Sequence, residues 1–388
     1  MNILLHDFGS YIQPDLISCL SEMGHHCKNL IYPLSDPVED DYFTKYITAH
    51  LTAGHFDCVI STNFQPILAR ICYERNIRYL AWSYDSPLPA AYRKYYAYPT
   101  TWLFLFDRAE TEILRGEGFH NVYHLPLAVN AKRLSSIRIS QADVERFSCD
   151  VSFVGRFYQS PLQKILSHQD DYTAGYIHAL TDAQFDLSGL SLIEEIIDDD
   201  LLRHMNEALA HKGVLYHTDE GTGISRSALT LCIGNQITHN ERIILLRLMN
   251  QFCKVHLYSS EKVEQLSEVP FFGPVTYFED MPKVFRLSRI NLCPTLRSIR
   301  SGIPLRAIDI IGAGGFLLCN PQPELMEYFQ PDRDIACYSS MADAVEKVRF
   351  YLSHEDIRLR LAQNAYAVAR EHFAYPQRIA YMFQTAGL

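Results

Sequence analysis

A run of basic side chains in the last third of the sequence is the clearest sign of chemistry. Between positions 281 and 308 no residue is acidic, although the whole chain has 45 acidic and 35 basic residues and a formal net charge of −10. The run contains six cations: Lys283, Arg286, Arg289, Arg297, Arg300 and Arg306. Cations without a counter-charge indicate a bound anion nearby. For the first three, the alternative is the solvent-exposed face of a helix.

The later cations of this run surround a predicted helix start. A strand should end near Pro294, and Pro304 is expected at the first position of the next helix. Arg306 would then lie in the first turn, where a positive side chain is unfavourable unless an anion occupies the helix end. Asp309 follows within the same helix, and its two oxygens suit a pair of sugar hydroxyls. With Arg300 in the preceding loop, these residues indicate a nucleotide diphosphate, and the alternative is a simple Arg306–Asp309 ion pair.

The glycine-rich stretch at 312–315 resembles a dinucleotide-binding motif only superficially. Such a motif follows a strand and opens a helix, whereas this stretch closes the predicted helix and precedes a strand. Gly314 and Gly315 are therefore expected to cap the helix and to let the turn pass close to a ligand. The sequence has no Walker motif and no Gly-x-Ser-x-Gly elbow.

Composition argues against several classes of protein. The negative net charge disfavours nucleic acid and anionic membranes as partners. No apolar run reaches the roughly 18–20 residues of a membrane span, and the first residues lack a signal-peptide pattern, so we expect a cytoplasmic protein. None of the ten cysteines forms a Cys-x-x-Cys pair, and disulfides are not expected. No metal-ligating motif is present, so neither a metal nor a cofactor is expected.

The first 130 residues alternate short apolar runs with helical patterns, which is typical of a parallel sheet covered by helices. Strands are predicted at 3–5, 58–61, 79–82, 103–106 and 122–125, with helices at 14–23, 66–75 and 108–116. Ligands of such sheets bind where the strands end. The polar or flexible residues at these ends are Asp7, Gly9, Asn63, Tyr84 and Asp85. Asp85 is the preferred residue for orienting an acceptor or acting as a base, and the alternative is a turn-forming role.

The rest of the chain repeats this alternation around a long helical stretch. A strand at 151–154 ends in Gly155 and Arg156. A helical pattern then runs from about 160 to 253, with a capping-box start predicted at 238–241. Further strands are predicted at 255–258, 275–278, 290–293, 316–319 and 335–338, followed by helices at 341–352, 355–372 and 376–385.

These patterns predict an α/β protein with two Rossmann-like lobes facing a cleft and a helical insertion in the second lobe. The predicted divisions are a first lobe at 1–145, a second lobe at 150–375 and a C-terminal helix at 376–388.

One segment resembles a known family. Residues 302–318 read GIPLRAIDIIGAGGFLL, which is similar to the signature of the CgeB-like (spore maturation protein) glycosyltransferases. The resemblance extends to VSFVG at 151–155, to HFAY at 372–375, and to AWSYDSP, FLFD and HLPL in the first lobe.

This resemblance implies a GT-B fold and transfer of a sugar from a nucleotide-diphosphate sugar, with a UDP-sugar favoured and retention at the anomeric carbon. It places the nucleotide on the second lobe, with Tyr258, Ser259 and Val275 at the base pocket, and the acceptor on the first lobe. Asp309 matches a ribose-binding glutamate of related enzymes. Their second glutamate is Ser301 here, and a lysine expected after the Gly-Arg pair is Pro161.

The predicted function is therefore metal-independent transfer of a sugar to a protein or glycan acceptor, with Asp85, Arg156 and Arg306 as catalytic residues. Arg156, Arg306 and the helix start at Pro304 would stabilise the negative charge on the leaving phosphates. Two alternatives stay open. One is a catalytically inactive GT-B scaffold that binds a nucleotide or partner, and the other is an inverting transferase that uses Asp85 as its base.

Overall fold

The computed structural model describes residues 1–185, 187, 191–218 and 221–388. They divide into two compact units. The first unit consists of residues 1–131 and 369–388, and the second consists of residues 132–368. The chain therefore returns to the first unit at its C-terminal end.

The first unit contains a six-stranded parallel sheet with the order β2-β1-β3-β4-β5-β6. The strands are β1 (Asn2–Asp7), β2 (His26–Ile31), β3 (Cys58–Thr62), β4 (Arg78–Ser83), β5 (Thr101–Leu105) and β6 (Val122–His124). The first helices are α1 (Gln13–Glu22), α2 (Asp41–Ala53), α3 (Pro66–Glu74), α4 (Arg93–Tyr96) and α5 (Arg108–Gly116), with a 3-10 turn at Ala90–Tyr92.

Local sequence explains most of these elements. All five residues of β3 are buried, as expected for a parallel strand covered on both faces. Pro66 begins α3, since proline is favoured in the first turn of a helix, and the Asp40 side chain caps α2 by accepting from the Phe43 N–H. Strand β2 is absent from the predicted strands because this edge strand is half exposed and lacks a continuous apolar run.

The second unit contains a five-stranded parallel sheet with the order β10-β7-β11-β12-β13. Its strands are β7 (Cys149–Val154), β8 (His217–Thr218), β9 (Gly221–Thr222), β10 (Val255–Tyr258), β11 (Ser288–Cys293), β12 (Leu317–Cys319) and β13 (Ala336–Cys337), with β8 and β9 forming a separate antiparallel pair. The α/β class with two parallel-sheet units is thus confirmed.

The second unit also contains helices, and those between about 160 and 253 occupy the predicted insertion. The helices of this part are α6 (Ala131–Ser136), α7 (Gln141–Phe147), α8 (Leu162–Leu166), α9 (Asp171–Phe185), α10 (Ser191–Ile196), α11 (Asp199–His211), α12 (Arg226–Asn250), α13 (Asp280–Leu287), α14 (Leu305–Gly312), α15 (Pro323–Tyr328), α16 (Met341–Ser353) and α17 (Glu355–His372), with a 3-10 turn at Glu264–Leu266. The last helix, α18 (Tyr375–Ala386), belongs to the first unit. Helices α8 to α12 share a hydrophobic core of their own. Positions 186, 188–190 and 219–220 of the predicted helical stretch lie outside the described residues.

Both sheets change direction beside their first strand. In the first sheet β1 lies between β2 and β3, and in the second β7 lies between β10 and β11. The loops after two such neighbouring strands run to opposite faces of the sheet, and a crevice forms between them at the carboxyl ends of the strands. Ligands of such sheets bind in this crevice. In each unit the relevant loops are therefore those that follow these strands.

The strand predicted at 275–278 is wrong. Instead, Phe271 bridges to Leu257 of β10, and the Ser259 N–H donates to the Gly273 carbonyl. Pro274 follows and has no N–H to continue the ladder.

The helix start predicted at 238–241 is also wrong, because α12 runs through it without a break. The Thr238 hydroxyl donates to the Gly234 carbonyl one turn earlier instead of capping a helix. Glu241 is 1% exposed, and its carboxylate pairs with Arg297 at 3.1 Å and accepts from the Tyr338 hydroxyl.

We expect Glu241→Ala to destabilise the protein by about 3–5 kcal/mol, because it leaves the buried Arg297 guanidinium without its partner. The measurement is equilibrium urea unfolding followed by circular dichroism. Asp200→Ala is the matched control, since it breaks an exposed pair with Arg203 and should cost less than about 1 kcal/mol. Equal losses for the two variants would contradict a structural role for the buried pair.

Candidate functional site

Gly155 and Arg156 follow β7 at the point where the second sheet changes direction. A Cβ atom on Gly155 would lie 3.0 Å from the Phe153 ring, so the turn has little room for a side chain. The Arg156 side chain is 71% exposed, and its Nε lies 3.1 Å from Glu261 Oε1. The other oxygen of Glu261 accepts from the Phe157 N–H at 2.8 Å. Glu261 therefore holds the loop while much of the Arg156 guanidinium faces solvent.

The inference that the six cations between 281 and 308 lack counter-charges is wrong. Most of their partners lie elsewhere in the sequence, where a linear reading does not find them, whereas Asp309 lies three residues after Arg306. The ion pairs are Lys283–Asp143, Arg289–Asp150, Arg297–Glu241, Arg300–Glu194 and Arg306–Asp309. Arg286 instead donates to the carbonyls of Leu134, Ile137 and Ala313. Arg289 lies on β11 rather than on a helix, and Arg300 is held by Glu194 through two contacts of 2.6 Å.

Helix α14 begins one residue later than predicted. Pro304 is its N-cap, with extended backbone at φ −65° and ψ 145°, because Ala307 is the first residue whose N–H bonds back to the Pro304 carbonyl. Arg306 still lies in the first turn. Its guanidinium contacts Met281 Sδ and lies 3.2 Å from Asp309 Oδ2, so the ion pair considered as an alternative does form.

Asp309 is 9% exposed and bonded at both oxygens. Oδ2 accepts from Arg306, and Oδ1 accepts from the Tyr277 hydroxyl at 2.7 Å. Each carboxylate oxygen can accept more than one hydrogen bond. These two contacts fix the orientation of the Asp309 carboxylate.

The glycine-rich stretch closes α14, as predicted. Backbone conformation explains the glycine at position 314, and close packing explains the one at 315. Helix α14 ends at Gly312, and Gly314 has φ +82°, a conformation that favours glycine. A Cβ on Gly315 would lie 2.7 Å from both the Phe285 carbonyl oxygen and the Asn291 amide nitrogen. Gly315 is thus required by close packing within the protein.

The three residues expected at the base pocket differ from one another in burial and in their contacts. Tyr258 is 2% exposed, and its hydroxyl bonds to His256 Nδ1 at 3.0 Å, so its ring is interior and does not border an open pocket. The Ser259 hydroxyl accepts from the Glu261 N–H and shapes the loop after β10. Val275 is partly buried and lies outside any strand.

In the first unit, Asp7 shapes the loop after β1. Its Oδ1 accepts from the N–H groups of Gly9 at 2.8 Å and Ser10 at 3.3 Å. Gly9 has φ +95°, which a residue with a side chain rarely adopts. Asn29 donates to the other oxygen of Asp7. These contacts favour the loop-forming role of Asp7.

Asn63 connects the loop after β3 to the loop after β4. It has φ +75°, and its Oδ1 accepts from the N–H groups of Tyr84 at 2.8 Å and Asp85 at 3.3 Å. Its amide nitrogen donates to Asp85 Oδ2 at 2.6 Å. Asn63, Tyr84 and Asp85 are thus brought together, as their positions at neighbouring strand ends predict.

Partial desolvation alters the ionisation of both tyrosine and aspartate in this cluster. It raises the pKa of Asp85 above the usual value, although the hydrogen bond from Asn63 acts in the opposite direction. It also raises the pKa of Tyr84 to about 12. A carboxylate with a raised pKa, held by a neighbouring amide, has the properties of a general base.

Glu324 is a candidate that the sequence reasoning missed. It lies at the start of α15 and is 1% exposed. Ser301 donates from its hydroxyl to Glu324 Oε1 at 2.7 Å, and the Glu324 N–H donates to the Ser301 carbonyl. A carboxylate therefore lies beside the position where the resemblance expects one. The proline at 323 was the available signal, since it marks a helix start after β12.

The residues that the structure describes contain no group of three or more histidine, cysteine, aspartate or glutamate side chains that could hold a metal ion. None of the helices in these ranges combines the length and the apolar composition of a membrane span.

Comparison with known proteins identifies the fold and one domain. A family model described as glycosyl transferase-like matches residues 241–384. No curated protein matches the sequence. Among solved structures, sucrose-phosphate synthase from Thermosynechococcus elongatus has a TM-score of 0.59 at 10% identity, covering 99% of this chain and 98% of the other. Alr3699/HepE from Anabaena, in complex with UDP and glucose, has a TM-score of 0.58 at 9% identity, with coverage of 100% and 99%.

A third structure, WaaG, a glycosyltransferase involved in lipopolysaccharide biosynthesis, has a TM-score of 0.54 at 12% identity and covers 100% of both chains. At these identities the structural likeness establishes the fold. The structure thus has the GT-B fold of these glycosyltransferases, and residues 241–384 match a glycosyl transferase-like family model.

Proposed function

We propose that the enzyme transfers a sugar from a UDP-sugar to a protein or glycan acceptor, with retention at the anomeric carbon and without a metal ion. The second unit would bind the donor and the first the acceptor. The observation that carries the proposal is the edge of the second sheet, where Arg156 follows β7 and Arg306 with Asp309 opens α14. The UDP and glucose bound by Alr3699/HepE support the choice of donor.

The chemistry follows from the charge on the leaving group. Departure of a nucleotide diphosphate builds negative charge on its phosphates, and preorganised donors stabilise that charge. The guanidinium groups of Arg156 and Arg306 and the first N–H groups of α14 would supply these donors. Asp309, with its orientation fixed by Tyr277, would accept hydrogen bonds from the ribose hydroxyls. Gly314 and Gly315 would keep the nearby turn close to the nucleotide.

In the first unit, Asp85 would orient the acceptor hydroxyl or remove its proton. Its raised pKa and its hydrogen bond with Asn63 support this role. They also favour a second candidate, an inverting transferase with Asp85 as the base. The anomeric configuration of the product, read by NMR during turnover, separates the two mechanisms.

The inactive-scaffold alternative rested on Ser301 and Pro161 in place of charged residues. The buried Glu324 carboxylate accepts a hydrogen bond from Ser301, so a carboxylate lies next to the position where related enzymes have a glutamate. This favours an enzyme over an inactive scaffold. The resemblance of residues 302–318 supports membership of the CgeB-like group.

The first test is nucleotide binding followed by donor turnover. UDP should raise the melting temperature more than ADP, GDP or CDP, since a ligand at 100 times its Kd adds about 2.7 kcal/mol of stability. The enzyme should then release UDP from a UDP-sugar, and the rate should persist in EDTA. Loss of activity in EDTA that magnesium or manganese restores would overturn the metal-independent mechanism, and no response to any nucleotide would overturn the donor assignment.

Changing Arg306 to Ala should lower kcat, because one preorganised cation is lost. The expected loss of transition-state stabilisation is about 2–4 kcal/mol. The measurement is kcat for UDP release, with the melting temperature as a check on folding. Arg203→Ala, which removes an exposed cation elsewhere in the second unit, should leave kcat unchanged. A folded Arg306→Ala protein with normal turnover would assign Arg306 a structural role only.

Changing Asn63 to Gly should raise the pKa of Asp85 further, since it removes the hydrogen bond that favours the carboxylate. Glycine tolerates the positive φ of this position, so the backbone keeps its path. A base must be deprotonated, and the acidic limb of the kcat/KM profile should therefore move to higher pH. NMR titration of the Asp85 carboxyl carbon measures the same shift directly, with Asn121→Gly as the control. An unchanged titration would show that Asn63 does not influence Asp85.

A further inference from the structure

A cavity of about 470 Å³ lies in the second unit, and its lining shares no residue with those assigned to the donor. Its walls come from the end of α9, from α12 and from the 3-10 turn at Glu264–Leu266. The polar residues of the lining are Asp182, Gln236, His239, Asn240 and Gln265. The apolar ones are Phe185, Ile243 and Ile244. A cavity of this size with a mixed lining is typical of a small-ligand site.

The polar side chains of this cavity keep both donors and acceptors for a ligand. Gln236 donates from its amide nitrogen to Asn240 Oδ1 at 2.9 Å, which orients both amides and leaves the Gln236 oxygen and the Asn240 nitrogen for other partners. His239 Nδ1 lies 3.1 Å from the Phe157 carbonyl oxygen. Since a carbonyl only accepts, Nδ1 carries the proton, and the neutral ring offers Nε2 as an acceptor.

The charge of the lining excludes several classes of ligand. Asp182 is exposed, and none of the described lining residues is lysine or arginine. A phosphate or carboxylate ligand would therefore meet a carboxylate with no cation to balance it. A single exposed carboxylate contributes little to holding a cation, and a purely apolar ligand would leave the amide groups unpaired. The remaining class is a neutral ligand that carries hydroxyl groups.

A sugar ring matches both parts of this lining. Each of its hydroxyl groups donates and accepts, as the oriented amides of Gln236 and Asn240 require. Its C–H groups form an apolar surface that can pack on Phe185 and on Ile244, which is 39% exposed. Apolar surface beside a few oriented polar groups gives a pocket both affinity and a defined ligand orientation.

A buried arginine holds two walls of the cavity together. Arg297 pairs with Glu241 of α12 and donates to the carbonyls of Phe185 and Leu187 at the end of α9. Both charged side chains are buried, where losing one partner is expensive. The spacing between α9 and α12 is therefore fixed before a ligand binds, which lowers the entropic cost of binding.

We infer that this cavity binds a neutral sugar ring of a glycan. Phe185 and Ile244 contact its C–H groups, and the three amide side chains bind its hydroxyls. Arg297 is a positioning residue, because it holds α9 against α12 and does not itself line the cavity. The sugar site rests on the cavity and its lining, whereas its use in holding a glycan acceptor rests on the proposed function.

Saturation-transfer NMR of the full chain with the methyl glycosides of glucose, galactose, mannose and N-acetylglucosamine tests the site. At least one glycoside should receive saturation, and NMR titration then gives its Kd. Asn240→Ala and Gln265→Ala should each weaken its binding about fivefold, the loss expected for one hydrogen bond. Gln251→Ala is the matched control, since this amide is exposed at the end of the same helix, and it should bind as the parent does. No saturation of any glycoside, or equal affinities for the parent and both variants, would overturn the inference.

A charged sugar tests the preference for a neutral ligand. The uronic acid that corresponds to the bound glycoside should bind the parent several-fold more weakly, because its carboxylate meets Asp182 without a nearby cation. Asp182→Asn should recover most of that loss, since it removes the charge and keeps an oxygen for hydrogen bonding. Equal or tighter binding of the uronic acid by the parent, or no recovery by Asp182→Asn, would contradict the inference.

Turnover with a glycan acceptor separates this inference from the proposed function. Gln265→Ala should raise the KM for the acceptor more than it lowers kcat, because the cavity holds the glycan and not the reacting groups. Glycoside binding that depends on Asn240, without turnover of any UDP-sugar, would support the sugar site and overturn the enzymatic proposal. Turnover with an acceptor KM that Gln265→Ala leaves unchanged would support the enzyme and overturn the use of this cavity by the acceptor.

Discussion

Two consecutive residues of α12 hold the loops that follow β7 and β11 in the second unit. Glu241 binds the Arg297 guanidinium, and Arg242 donates to the carbonyls of Pro294 and Arg156. The loop after β11 is therefore joined to a helix and, through Arg242, to the loop after β7. These bonds are buried, where losing one partner is expensive. The placement of Arg156 and of the chain leading to α14 depends on this connection.

In the first unit, one polar residue joins the loops after two neighbouring strands. Asn63 follows β3 and makes three hydrogen bonds to the turn after β4, so it fixes Asp85 in position and favours its ionised form. In both units, loops that leave neighbouring parallel strands are joined by side chains rather than by further strands. Such joining preorganises charged groups before a ligand arrives, which is the property that electrostatic catalysis requires.

The sequence predicted much of this architecture, because strands covered on both faces leave continuous apolar runs. The strand at 255–258 and the helices at 108–116 and 355–372 agree with the structure in their bounds. Edge strand β2 left no such run. The predicted strand at 275–278 failed because chain 271–273 lies beside β10 instead. The predicted helix start at 238–241 failed because Thr238 and Glu241 find partners outside a cap.

The sequence by itself determined the two parallel sheets, the polar residues at their strand ends, and the helix start near Arg306 with the glycines that close it. These features depend on local patterns of burial and backbone freedom. Only the tertiary structure decided how most of the charges at 283–306 are neutralised, because the partners of Lys283, Arg289, Arg297 and Arg300 lie far away in the sequence. It paired Arg297 with Glu241 and Arg300 with Glu194. Long-range pairing is a property of folded geometry, and linear spacing does not encode it.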